Sequence, residues 1–258
     1  MEVHHPHNTG HKKRWTGYLL EFLMLFLAVY LGFIAENLRE HRVEKARARE
    51  FSKSLVQDLE NDVVEINWQI KLTRNYLSVA DSILELGKRK LEGRNAAAFS
   101  FYTRFVYWTG PVNWHRATFE QIKNSGSLRY FRNTILSKLM KYDAAINDIQ
   151  SEFDNHMTRG NMLLIPINKI IEPGLHHELS SYFIWTIDSM STATRERLFS
   201  IETPSLENKR EEIRELLNMV VVQQRNLRQN SEDRLPKAIK IAKDLVEELN
   251  KEYHFESK

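Results

Sequence analysis

The chain has 258 residues, 37 Lys and Arg against 34 Asp and Glu, and no cysteine. That excludes a disulfide scaffold, a thiolate metal site and a cysteine nucleophile, and residues 36–258 carry a net charge of only +2, which argues against nucleic acid as a partner. Six prolines and nine glycines are few for this length and suit long helices rather than a turn-rich β fold.

Residues 1–14 read as a disordered, basic tail holding His4, His5, His7 and His11. Next comes Trp15 to Ala35, with Glu21 as its one charge. About 20 apolar residues at 1.5 Å each cross ~30 Å of hydrocarbon, so this is a transmembrane helix. Trp15 and Tyr18 suit the aromatic belt, and Lys12, Lys13 and Arg14 form its basic flank. A cleaved signal peptide is the competing reading; the run is long for one and has no small-x-small site near Ala35. Glu21 lies about a turn inside the membrane edge, where a carboxylate is costly. Ala28 and Gly32 are four apart, a spacing that lets two helices approach closely. Glu21, Ala28 and Gly32 are therefore the expected self-association face. The basic residues after the helix, counted literally, place the C-terminal side in the cytoplasm. A short basic tail before a first apolar segment usually stays inside. The expectation is a single-pass inner-membrane protein with the tail inside and the domain outside the cytoplasm.

Residues 36–54 read as a charged stalk continuing the helix, and residues 55–258 as the folded domain. Leu55, Leu59, Val63, Ile66, Ile70, Leu77, Ala80 and Leu84 define one face of a helix running from Asn37 to Leu86. Leu91–Asn95 is a turn, Ala96–Trp108 a short buried or interfacial helix, and Thr109-Gly110-Pro111 a break. A helix is expected over Asn113–Lys123, capped by Asn113, with Gly126 left-handed in the turn after it. The next helix runs from Leu128 to about Met157, and Gly160, Pro166 and Pro173-Gly174 loosen or end the chain beyond it. Leu175–Phe199 is one helix or two short ones. Thr203-Pro204-Ser205 starts the last helix, and Pro236 kinks or splits it near 230–236. The fold class is all-α: one N-terminal transmembrane helix followed by an elongated antiparallel helical bundle with coiled-coil character.

No residue set specifies a reaction, and no enzyme activity or cofactor is expected. Adjacent His176, His177 and Glu178 point different ways on a helix, and Glu152 with His156 reads as a surface salt link rather than a metal site. The candidate partner or ligand surface is Arg104, Trp108, Trp114, His115, Arg116, Lys123, Asn124 and Gly126, because arginine and aromatics are enriched at interaction hot spots. The competing reading makes the aromatics a core cluster. Expected partners are the lipid bilayer and either another copy or a different protein. The functional expectation is a scaffold or partner-binding module; the alternative is a sensor-like bundle coupled to its membrane helix.

Two patches carry a family resemblance. One is Glu21, Ala28, Gly32 and Glu36-Asn37-Leu38-Arg39-Glu40. The other runs from Trp114 through Thr118-Phe119, Ile122-Lys123-Asn124-Ser125-Gly126 and Leu128 to Asn133, Leu136 and Tyr142. Together they resemble a family of bacterial single-pass membrane proteins, found mostly in Bacteroidetes, that has no assigned reaction. The resemblance covers about a quarter of the chain. It implies a membrane anchor followed by a helical domain and brings no activity with it.

Overall fold

The computed structural model describes residues 15–107 and 110–255. The tail expected over residues 1–14, and Trp108 of the candidate surface, lie outside them. Among the described residues the chain is helical, with no strand. It divides into two compact units, 1–50 and 51–258.

In the first unit, α1 begins at Trp15 and is apolar through Ala35, and its large hydrophobic side chains there stand exposed. Phe22, Phe26 and Tyr30 stack at i, i+4, with ring centroids 6.5 and 6.1 Å apart. Arg39 and Glu36 form an exposed i, i+3 pair.

The second unit is built on three long helical runs. They are α1, which ends at Gly87; α4, Asn133–Ile170; and α7, Arg210–Gln229, which continues through a turn into α8, Leu235–Tyr253. Buried positions step by three and four along each. On α1 they are Leu55, Leu59, Asp62, Ile66, Gln69, Thr73, Tyr76, Ala80 and Ile83. On α4 they include Ile135, Leu139, Tyr142, Ile146, Ile149, His156, Gly160, Leu163, Ile167 and Ile170. Such spacing keeps one seam of each helix turned to its neighbours.

Cross-links between seams set the directions. Asp62 meets Tyr142, and Tyr76 meets His156, so α1 and α4 run parallel. Lys138 meets Glu248, Asp148 meets Arg234, and Arg159 meets Gln223, so α4 runs against α7 and α8. A parallel pair needs a long return, and residues 88–132 supply it. They contain α2, Arg94–Thr103, and α3, Ala117–Asn124. The core has two large clusters. One joins α1, α2, the far half of α4 and α7; the other joins α1, α3, the near half of α4 and α8. Ile66, Ile149, Leu235 and Ala238 lie together in a smaller third cluster.

The helix ends are closed by side chains. Arg210 donates to Gly87 O at 3.0 Å and to Arg89 O at 2.6 Å, and Lys209 Nζ donates to Ile170 O at 3.3 Å. Two adjacent cations at the start of α7 thus cap the C-terminal carbonyls of both α1 and α4.

Several expected boundaries move. The helix expected from Asn113 starts at Ala117, because the backbone before it is bonded to α1 side chains instead of to itself. The helix expected to fade near Met157 continues to Ile170 through Gly160 and Pro166. A Cβ on Gly160 would fall 2.2 Å from Tyr107 O, so this glycine lets the connecting chain touch the helix rather than breaking it. Its first residues, Ser127–Tyr130, are a separate 3₁₀ turn. The Leu175–Phe199 stretch breaks into α5, Pro173–Glu178, two 3₁₀ turns, and α6, Thr192–Phe199, whose N-cap Ser191 accepts from Thr194 N at 3.1 Å. The last run starts at Glu207 in a 3₁₀ turn, not at Thr203–Ser205. Near Pro236 the run splits into α7 and α8. Asn230–Arg234 forms a π-turn in which Leu235 N donates to Asn230 O, which absorbs the N–H that proline lacks.

Candidate functional site

Two places gather polar groups away from water, and they divide the residues that the sequence had grouped. The first is an extended strap, residues 111–116, held between α1 and α4. Four α1 side chains on one face read its backbone and the first turn of α3. Gln69 donates to Pro111 O at 2.8 Å, Glu65 accepts from Asn113 N at 3.4 Å, Asp62 from His115 N at 2.8 Å, and Asp58 from Thr118 N at 3.3 Å. On the other side, Trp114 Nε1 donates to Gln150 at 3.2 Å, and Arg116 donates to Asn147 at 2.9 Å and pairs with Asp143. Asp62, 1 % exposed, is the centre. It also accepts from Tyr142 Oη at 2.8 Å and lies 3.0 Å from His115 Nδ1. Burial and the neighbouring Asp62 push the Tyr142 phenol well above its ordinary range, so it stays a donor. The cavity beside them is about 20 Å³, room for roughly one water.

Trp114, His115 and Arg116 each bond within the chain, with Trp114 and Arg116 part-buried and the His115 side chain exposed. Trp114 packs on the core clusters of both α3 and Ile66. Lys123 lies over the Phe119 ring at 5.9 Å, Asn124 ends α3, and Gly126 is left-handed with φ 69°. These three stay exposed.

The second place is around Arg104, just past α2. Arg104 shares no hydrogen bond, ring contact or cavity with Trp114–Arg116. Its Nη1 donates to Leu179 O at 2.6 Å and Tyr182 O at 3.2 Å, and the guanidinium sits 5.7 Å from the Phe105 ring. With Phe105, Tyr107, Tyr182, Phe183, Ile184 and Trp185 it lines a cavity of about 180 Å³. The rim is pinned. Ile184 is buried and its carbonyl accepts from Asn75 Nδ2 at 3.2 Å; Thr186 Oγ1 donates to Phe183 O at 2.8 Å; Arg197 donates to Tyr182 Oη at 2.9 Å. With Ile184 turned in, Phe183 and Trp185 on either side stay out, 46 % and 44 % exposed, and their rings stack at 4.7 Å. Burial pulls His176 below its ordinary value, and the Arg104 charge nearby adds to that. Arg104 stood out in the sequence, whereas Phe183 and Trp185 did not; the alternation of Phe, Ile and Trp was the signal available.

The expected surface link between Glu152 and His156 is also corrected. His156 is buried, and its ring meets the Gln223 amide 2.8 Å from Nδ1, while Glu152 pairs with Arg159 at 2.5 Å. Burial first, then Arg159, brings His156 down to about 4. Among the described residues no three His, Asp or Glu are placed to hold a metal ion. On the first unit, Glu21, Ala28 and Gly32 lie on α1, and a Cβ on Gly32 would meet nothing within 4 Å.

Compared with protein families, curated proteins and solved structures, the chain matches none.

Proposed function

We propose that the protein is a single-pass membrane protein whose helical bundle acts as a scaffold or partner-binding module outside the cytoplasm. The observation that carries this is α1. The helix from Trp15 to Gly87 holds an apolar stretch long enough to span a bilayer, and the large hydrophobic side chains of that stretch are exposed. A buried core helix would hide those side chains; lipid is the solvent that suits them. Ala28 and Gly32 offer a close-packing face for a second copy, with Glu21 on the same helix.

The chain has no cysteine, so Glu211→Cys, at a side chain 88 % exposed, is a clean topology probe. Cells with a permeabilised outer layer are treated with a membrane-impermeant maleimide, and the membrane fraction is washed with alkaline carbonate. The expected result is a carbonate-resistant chain labelled before lysis. Labelling only after lysis would overturn the orientation, and release by carbonate would overturn the anchor.

A further inference from the structure

We propose that the Arg104 cavity binds a carboxylate carried on a small aromatic or apolar body. The guanidinium takes the carboxylate, and Tyr107, Phe183 and Trp185 take the body. Arg104 is part-buried, and burial disfavours its charged form. A cation in that position ordinarily has an acid beside it, because an uncompensated buried charge is costly. Among the described residues Arg104 has no carboxylate partner: its bonds go to two neutral carbonyls. Nη1 is used there, while Nε is buried without a partner. Among the described residues no hydrogen bond engages Nη2, and a carboxylate entering the cavity would meet the guanidinium there.

The rest of the lining defines the body of the ligand. Five of the seven lining residues are aromatic, and none is acidic. Phe183 and Trp185 present a stacked pair to solvent, on a turn pinned from both ends. A cavity of about 180 Å³ falls below the ~300–1,000 Å³ of drug-sized sites, so one ring with a short acid arm is the fitting size. The two larger hollows differ. The groove of about 680 Å³ along α8 and that of about 620 Å³ beside the π-turn are lined by charges of both signs, which neutralise one another.

The proposal does not rest on the membrane reading, since binding in detergent reports the cavity whatever the topology. Full-length protein in micelles is titrated by calorimetry with phenylacetate and, separately, 2-phenylethanol, then with a short peptide ending in a free Phe carboxylate and its amide. Saturable binding of the acids, about tenfold or more tighter than the alcohol and the amide, is expected. A tighter peptide assigns the carboxylate to the chain end of a protein partner; tighter phenylacetate assigns it to a free small acid. Arg104→Gln should erase the preference for the acid. Because Arg104 also ties down the 179–182 turn, Trp185→Ala provides a second test: it should weaken acid and alcohol alike while keeping their ratio. Equal binding of acid and alcohol, no binding of either, or unchanged binding by both variants would overturn the proposal.

Discussion

Asp62 and Arg104 are both charged groups drawn in from solvent beside an aromatic neighbour, yet their surroundings are opposite. Asp62 accepts from a backbone N–H and a tyrosine hydroxyl, with an imidazole nitrogen also in reach. Its cavity has room for about one water. Arg104 faces a hollow several times larger, has only neutral acceptors, and keeps part of its fork unused. Saturation of one and not the other separates what holds this chain together from what it offers to another molecule. The strap stood out in sequence because it holds Trp, His and Arg in a row, and each of the three also bonds within the chain.

The contrast breaks first at the strap. Asp62→Ala leaves the Tyr142 hydroxyl and the His115 N–H without an acceptor, at ~1–3 kcal/mol for each buried group. We expect a loss of about 3 kcal/mol, read as a lower melting temperature of the full chain in detergent by circular dichroism. An unchanged melt would show that the strap is not held by Asp62.

A pH series sharpens the comparison at the buried His156. Its folded value, about 4, lies below the ordinary 6.5. The unfolded chain therefore binds the proton first as pH falls. Stability is fully present above about 6.5 and is lost as pH drops toward 4, by roughly 3 kcal/mol. His156→Gln lacks this loss, so the gap between its melting curve and that of the parent should change across that window and stay constant above it. A constant gap throughout would mean that His156 titrates normally.

The smallest effect belongs to the cavity rim. Trp185→Ala removes a half-exposed ring, and its melting temperature should stay close to that of the parent, within ~0.5 kcal/mol. A large drop would make Trp185 a structural residue and erase the distinction from Asp62.

The apolar seams of α1, α4, α7 and α8 were legible because Leu, Ile and Val recur at three and four. The polar members of the same seams were not. Asp62, Gln69, Thr73, His156 and Gln223 interrupt the apolar pattern and read as surface, although each sits inside. Their partners come from segments far away in sequence, such as Tyr142 for Asp62 at a separation of 80. Local periodicity carries no record of such pairings. The start of α3 was misplaced for the same reason. Asn113 is a good cap by type, but its N–H was claimed by Glu65, 48 residues earlier. Arg104 was recognisable as an unusual charge in an apolar run; its cavity was not, because the far wall comes from residues 182–185.

The π-turn at 230–234 has a consequence for length. Buried positions on α7 step 213, 216, 220, 223 and 227, and on α8 they step 235, 238, 242, 245 and 249. Both series keep a seven-residue repeat, yet eight residues separate 227 from 235 where seven would continue it. The turn swallows one surplus residue, so the two halves face the same neighbours in spite of it. Anywhere else in this run, gaining or losing one residue rotates everything downstream by about 100°. Here the chain already holds the insertion. Removing one residue from 230–234 and replacing Pro236 by alanine would leave a plain α-helix with both apolar faces still aligned.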